Sequence, residues 1–128
     1  MIQTKTLTEY VEEYINSNEE DFPNSKIEKL RNHNFNHIDV VGIFELIVAD
    51  LNQGWKPNFI SSKWEDWGYC IYYNAYDGVY SGAFYWTLND AAGSVDRIIG
   101  TSSLFESKKL TDKAIEICGE DFLNLLFE

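Results

Sequence analysis

The sequence predicts an α+β domain: a three-stranded antiparallel sheet packed with about four helices, in the order ααα–βββ–α. Three observations predict it. Apolar residues recur at helical spacing through the first half of the chain and again at its end. Between these regions, Tyr69–Tyr73 and Val79–Leu88 have the aromatic and β-branched composition of strands. Asp77-Gly78 separates the two runs, as a hairpin turn would. A length of 128 residues fits one domain, 1–128, with an acidic helical part at 1–35 and a helix–meander–helix core at 36–128.

Taken in order, Thr6-Leu7-Thr8-Glu9 matches a capping box and opens a helix over about 6–17, with Leu7, Tyr10, Val11, Tyr14 and Ile15 on one face. An acidic loop with Pro23 follows. Ser25-Lys26-Ile27-Glu28 reads as a second capping box for a short helix to His33. A third helix over about 38–53 is expected to bury Ile38, Val41, Phe44, Leu46, Ile47 and Leu51. Gly42 within it costs about 1 kcal/mol relative to Ala. Asn52-Gln53-Gly54, with Pro57 beyond, stops that helix. Residues 55–67 are irregular. In the second strand Tyr80, Gly82, Phe84, Trp86 and Leu88 share one face, and Gly82 suggests a bulge. After a loop at 89–96, Ile98–Phe105 reads as the third strand. Ser107 caps a last helix whose apolar stripe runs through Leu110, Ala114, Ile117, Cys118, Phe122, Leu125 and Leu126.

Composition narrows the function. Ten Lys and Arg face 21 Asp and Glu, a net charge of −11. Residues 1–25 carry Lys5 against Glu9, Glu12, Glu13, Glu19, Glu20 and Asp21, whereas residues 26–58 are neutral. Such a balance opposes binding to free nucleic acid or to anionic membranes and favours a basic protein partner. No apolar run is long enough to span a membrane, and the first residues show no signal-peptide pattern. Cys70 and Cys118 lack CxxC spacing and read as buried thiols of a reduced, cytoplasmic protein. His33 and His37 are four apart, but nothing completes a tetrahedral site, so no metal is expected. Neither a nucleophile elbow nor a phosphate loop is present, and the expectation is a non-enzymatic protein without cofactor. Aromatic crowding is the more informative feature: 12 of 20 aromatic residues, every Trp included, lie between Trp55 and Trp86. A single buried sheet face cannot hide all of these tyrosines, so some are expected to be exposed as protein-binding anchors or, alternatively, as base-stacking platforms.

The run Asp50-Leu51-Asn52-Gln53-Gly54-Trp55-Lys56-Pro57, the Tyr72-Tyr73 strand, Gly100-Thr101-Ser102-Ser103-Leu104-Phe105-Glu106-Ser107 and the ending Phe122-Leu123-Asn124-Leu125-Leu126 resemble a family of small proteins encoded in phages and prophages of Bacteroidota. The likeness covers about the last two thirds of the chain, and Leu-Asn-x-Gly-Trp-x-Pro is its most specific element. Where relatives carry a basic residue in the third-strand segment, this chain has Ser103 and Glu106. A small acidic phage-type protein is similar in character to anti-CRISPR inhibitors, which occupy the cationic channels that hold guide RNA. The resemblance therefore implies an inhibitor of a basic nucleic-acid-handling host protein, foremost a CRISPR effector such as the type VI-B RNA-guided RNase, acting in the bacterial cytoplasm. The expected contact residues are Glu9, Glu12, Glu13, Glu19, Glu20 and Asp21 for steering and Trp64, Trp67, Tyr76 and Tyr80 as anchors. The alternative is a phage accessory protein that binds single-stranded nucleic acid on the aromatic sheet face.

Overall fold

The computed structural model describes residues 5–85 and 104–127, apart from the Trp64 side chain. Among them the fold is α+β, with four α-helices and a two-stranded antiparallel sheet. Helix α1 (Leu7–Ser17) opens on the expected capping box: Thr6 Oγ1 accepts from the Glu9 N–H at 3.2 Å, and the Glu9 carboxylate accepts from the Thr6 N–H at 3.1 Å. Helix α2 (Asn24–Arg31) does not use its predicted box. It starts two residues earlier, with Pro23 in extended conformation at the cap position, so Ser25 lies inside the first turn where its hydroxyl caps nothing. The Pro23 carbonyl takes the N–H groups of Lys26 and Ile27 instead. The helix closes at Arg31, short of His33, in a Schellman turn: Asn34 N–H bonds to Lys29 O at 2.8 Å and His33 N–H to Leu30 O at 3.0 Å, with His33 left-handed at φ 57°.

Helix α3 (His37–Asn52) is capped by Asn36, whose side chain accepts from the Asp39 N–H. Its buried stripe is Val40, Ile43, Phe44, Ile47, Val48 and Leu51, rotated from the one expected; Ile38 is 77% exposed. So many positions of this helix are apolar that two stripes compete, and packing against α1 and the last helix selects between them. Packing also explains Gly42. A Cβ there would lie 2.6 Å from Cε1 of the Tyr14 ring, so the close approach of α1 to α3 requires glycine. The Tyr14 hydroxyl continues to Asp39, donating to Oδ1 at 3.0 Å, and Lys26 Nζ reaches the same oxygen at 3.1 Å. A single carboxylate, 3% exposed, thus joins α1, α2 and α3.

A 3-10 turn (Trp64–Trp67) leads into strand β1 (Tyr69–Asn74), which pairs with β2 (Val79–Phe84) from Tyr69↔Phe84 to Asn74↔Val79. The loop is four residues long, Ala75–Gly78, and closes with Gly78 N–H on Asn74 O at 2.8 Å. Gly82 marks no bulge, since the register runs unbroken through it. It is glycine because helix α4 (Lys108–Leu126) lies directly on the strand; a Cβ would overlap the Thr111 side chain. Of the expected third strand, residues 98–103 lie outside the described residues. Its last residue, Phe105, exchanges both backbone hydrogen bonds with Tyr69, at 2.8 and 2.7 Å, as a single antiparallel bridge on the side of β1 away from β2. Trp86 to Leu88 and the loop at 89–96 also lie outside the described residues.

Helix α4 is capped by Ser107, which accepts from the Leu110 N–H, and breaks at Gly119 (φ 78°, ψ 164°) into two helical pieces. The stripe read from the sequence missed this break. Thr111, Ala114 and Cys118 are buried before the break and Phe122, Leu123 and Leu126 after it, while Leu110, Ile117 and Leu125 are half-buried. Asn52, at the end of α3, forms the remaining fixed point. Its amide donates to Leu104 O at 2.8 Å and accepts from the Glu106 N–H at 3.1 Å, so one buried side chain replaces a pair of sheet bonds.

Candidate protein-binding surface

The two faces of the hairpin decide which aromatic residues are available. Ile71 joins the main core, with Tyr80 packed beside it. On the opposite face Cys70 and Leu104 form a smaller cluster with Trp55, Tyr72, Ala83 and Tyr85. Both faces therefore carry packed clusters, and the expectation of exposed tyrosines is met at the hairpin tip, by Tyr76, rather than on the second sheet face. Trp55 does the covering: it packs so closely over Gly68 that a Cβ there would sit 2.7 Å from the indole ring. Trp55 lies in a stretch whose sequence is irregular, where no local signal marks this position.

Of the expected anchors, Tyr76 projects from the hairpin tip with 84% exposure. Tyr80 is half-buried; its hydroxyl donates to Asn124 Oδ1 at 2.6 Å and its ring packs on Tyr73 and Phe127. It is a contact between β2 and α4 rather than an exposed anchor. Trp67 is half-buried, with Nε1 donating to Ser61 O at 3.2 Å and its ring edge-on to Phe59. The side chain of Trp64 lies outside the described residues. Two exposed apolar residues escaped the sequence reading, Phe59 and Ile60, the latter 97% exposed. The only signal available was an apolar pair inside a polar loop.

The acids divide in two. On α1, Glu9 is held in the capping box, Glu12 accepts a bidentate pair from Arg31 at 2.8 and 3.2 Å, and Glu13 accepts from Lys5 at 3.2 Å. The Arg31 hydrogen bonds hold Glu12 below the ordinary carboxylate range, and Glu13 raises Lys5. These groups line a shallow groove along α1, but each already has a partner. Glu19, Glu20 and Asp21 differ: all three are exposed in the turn after α1, and among the described residues none forms an ion pair or side-chain hydrogen bond. That turn is fixed by backbone bonds from Asp21 and Phe22 N–H to Asn18 O at 2.9 and 3.1 Å. The acids and the hairpin do not form one surface. α1 packs on α2 and α3, while the hairpin packs on α4.

His33 and His37 also part. His33 stacks on Phe35 in the Schellman turn, and His37 Nδ1 meets Leu125 O at 3.1 Å. No group of three or more His, Cys, Asp or Glu suited to a metal occurs among the described residues. Cys70 and Cys118 are buried free thiols, both pushed up to about 12 by desolvation. No helix among the described residues is long and apolar enough to cross a membrane. No family model matches the chain, and no curated protein or solved structure does.

Proposed function

We propose that this protein is a non-enzymatic, phage-type inhibitor that works in the bacterial cytoplasm by binding a basic, nucleic-acid-handling host protein. A CRISPR effector whose cationic channel holds guide RNA is the foremost target class. One observation carries the reading: Glu19, Glu20 and Asp21 stand together, exposed and without internal counter-charges, on a turn held by its own backbone. Their potential reaches solvent, whereas that of Glu12 and Glu13 is largely cancelled by Arg31 and Lys5. The chain's net charge of −11 reinforces attraction to a cationic groove at long range. Tyr76, on another part of the molecule, would serve a separate contact.

The test uses a purified type VI-B RNA-guided RNase, with and without guide RNA, titrated with this protein at low and high salt. The expected result is binding that weakens with salt. Reversing Glu19, Glu20 and Asp21 to Lys lowers low-salt affinity by about tenfold or more and flattens the salt dependence. Unchanged low-salt affinity in that variant overturns the acidic-turn mechanism, and absence of binding at every salt overturns the target class. Saturable quenching of Trp fluorescence by single-stranded RNA at moderate salt would favour the nucleic-acid reading instead.

A further inference from the structure

A second surface, built from residues other than those of the acidic turn, combines a cleft with an exposed apolar side chain. Between the end of α3 and the loop that follows it lies an open cleft of about 500 Å³, with an apolar floor of Val48, Ala49, Trp55, Pro57, Phe59 and Leu104. Immediately beside it, Ile60 projects with 97% of its surface exposed. Its backbone is pinned on both sides. Asn58 N–H bonds to Asp66 O at 2.8 Å, the Asn58 side chain accepts from the Ile60 N–H at 3.1 Å, and Ser61 Oγ donates to Asp66 Oδ2 at 2.6 Å. The neighbouring Phe59 ring is fixed edge-on between Trp67 and Tyr85. A fully exposed branched apolar side chain on a rigid loop loses little conformational freedom when buried by a partner.

We propose that this face is the interface of a two-fold homodimer, in which Ile60 of each copy enters the cleft of the other. Two features select a second copy over an unrelated partner. Knob and cleft share one loop, so a single two-fold axis satisfies both at once, the requirement of a self-complementary patch. The rim of the cleft holds one acid, Glu45, and one base, Lys56, both exposed and, among the described residues, in no ion pair. A two-fold axis that swaps the copies brings Glu45 of one towards Lys56 of the other. A basic partner would meet Lys56, and an acidic partner would meet Glu45 together with the excess negative charge of the chain. Residues 26–58, which hold both rim charges, are neutral overall. Two copies that each carry −11 repel one another at long range, and salt strengthens the association by screening that repulsion.

Sedimentation velocity of the full chain across micromolar concentrations, at 0.15 and 0.5 M NaCl as chosen conditions, reads the outcome. The expected result is a monomer–dimer equilibrium that shifts towards dimer at the higher salt. Ile60→Asp raises the dissociation constant at least about 30-fold, the ordinary effect of losing a central anchor, while its circular dichroism stays that of the parent because Ile60 contributes nothing to the core. Glu45→Lys and Lys56→Glu each weaken the dimer about three- to tenfold. The double variant Glu45→Lys/Lys56→Glu recovers the parent affinity, since every cross-dimer pair is restored with its signs exchanged. A monomer at all concentrations, a dimer indifferent to Ile60→Asp, or a double variant no tighter than the single ones overturns the proposal.

Discussion

Replacing Gly82 by Ala offers the sharpest test of how the sheet meets α4. A Cβ at this position would overlap Thr111 Oγ1 and lie 2.6 Å from Thr111 Cβ, well inside ordinary carbon contact. Thr111 is fully buried, and its hydroxyl donates to Lys108 O within its own helix, so it has no room to retreat. Either β2 withdraws from α4 or Thr111 leaves its rotamer and its hydrogen bond. Overpacking of this kind costs about 1–3 kcal/mol, and a clash between a backbone-borne atom and a β-branched side chain belongs at the upper end, about 3 kcal/mol. The reduced backbone freedom of Ala in the unfolded chain offsets up to about 1 kcal/mol of that. In urea unfolding followed by circular dichroism, a loss of about 2–3 kcal/mol lowers the midpoint by about 1–2 M. Thr111→Ala destabilises the parent but removes the hydroxyl overlap in the Gly82→Ala background, giving a coupling of about 1–2 kcal/mol between the two sites. A Gly82→Ala variant within about 0.5 kcal/mol of the parent, or a Thr111→Ala cost equal in both backgrounds, refutes this account of the contact.

Asn52→Ala strands the Leu104 carbonyl and the Glu106 N–H together; the expected loss is about 2–4 kcal/mol in urea unfolding, and a loss below about 1 kcal/mol contradicts the bridging role. Gln53 is left-handed at φ 47° in the cap after α3, so Gln53→Gly raises the thermal midpoint by a few degrees, equivalent to about 0.5 kcal/mol, whereas Gln53→Val lowers it. Burial raises the Cys70 and Cys118 thiols from an ordinary value near 9 to about 12. The unfolded chain gives up those protons first, so the stability they confer is complete below pH 9 and drains away as pH climbs towards 12. The slope is at most roughly 1.4 kcal/mol per pH unit per thiol. Tyr14, raised to about 12 by burial and then by its bond to Asp39, adds to the same trend above pH 10. Urea midpoints that stay level from pH 9 to 11 would contradict it, and the Cys70→Ala/Cys118→Ala variant should show a shallower decline.

Local rules made α1, the first two strands and the last helix legible, because a capping box, a hairpin turn and an apolar repeat each act over a few residues. Tertiary contacts escaped them. The face that α3 buries depends on which apolar stripe its neighbours take up, and Gly42 and Gly82 read as a helix penalty and a bulge when each is a place where another element comes close. Asn52 looked like a stop signal, yet its partners lie about fifty positions away in sequence. Charge was legible as a total and as a distribution along the chain, but not as a surface. Arg31 is distant in sequence from Glu12 and removes it from the acidic set, leaving the three acids after α1. The exposure of Tyr76 follows from its place beside the Asp77-Gly78 turn and was legible, whereas the anchoring of Tyr80 was not, since it depends on where α4 lies over the hairpin.

The oxygen shared by Tyr14 and Lys26 on Asp39 has a consequence for uniqueness. The other polar links of this layer, Arg31 with Glu12 and Tyr10 with Asp50, reach solvent at their acidic ends, and its apolar surfaces tolerate sliding at modest cost. A near-dry carboxylate does not tolerate it: any slippage would abandon a charge with no solvent to receive it. This buried carboxylate thus penalises misalignment of the three helices more sharply than the apolar contacts around it do, without any enlargement of the core.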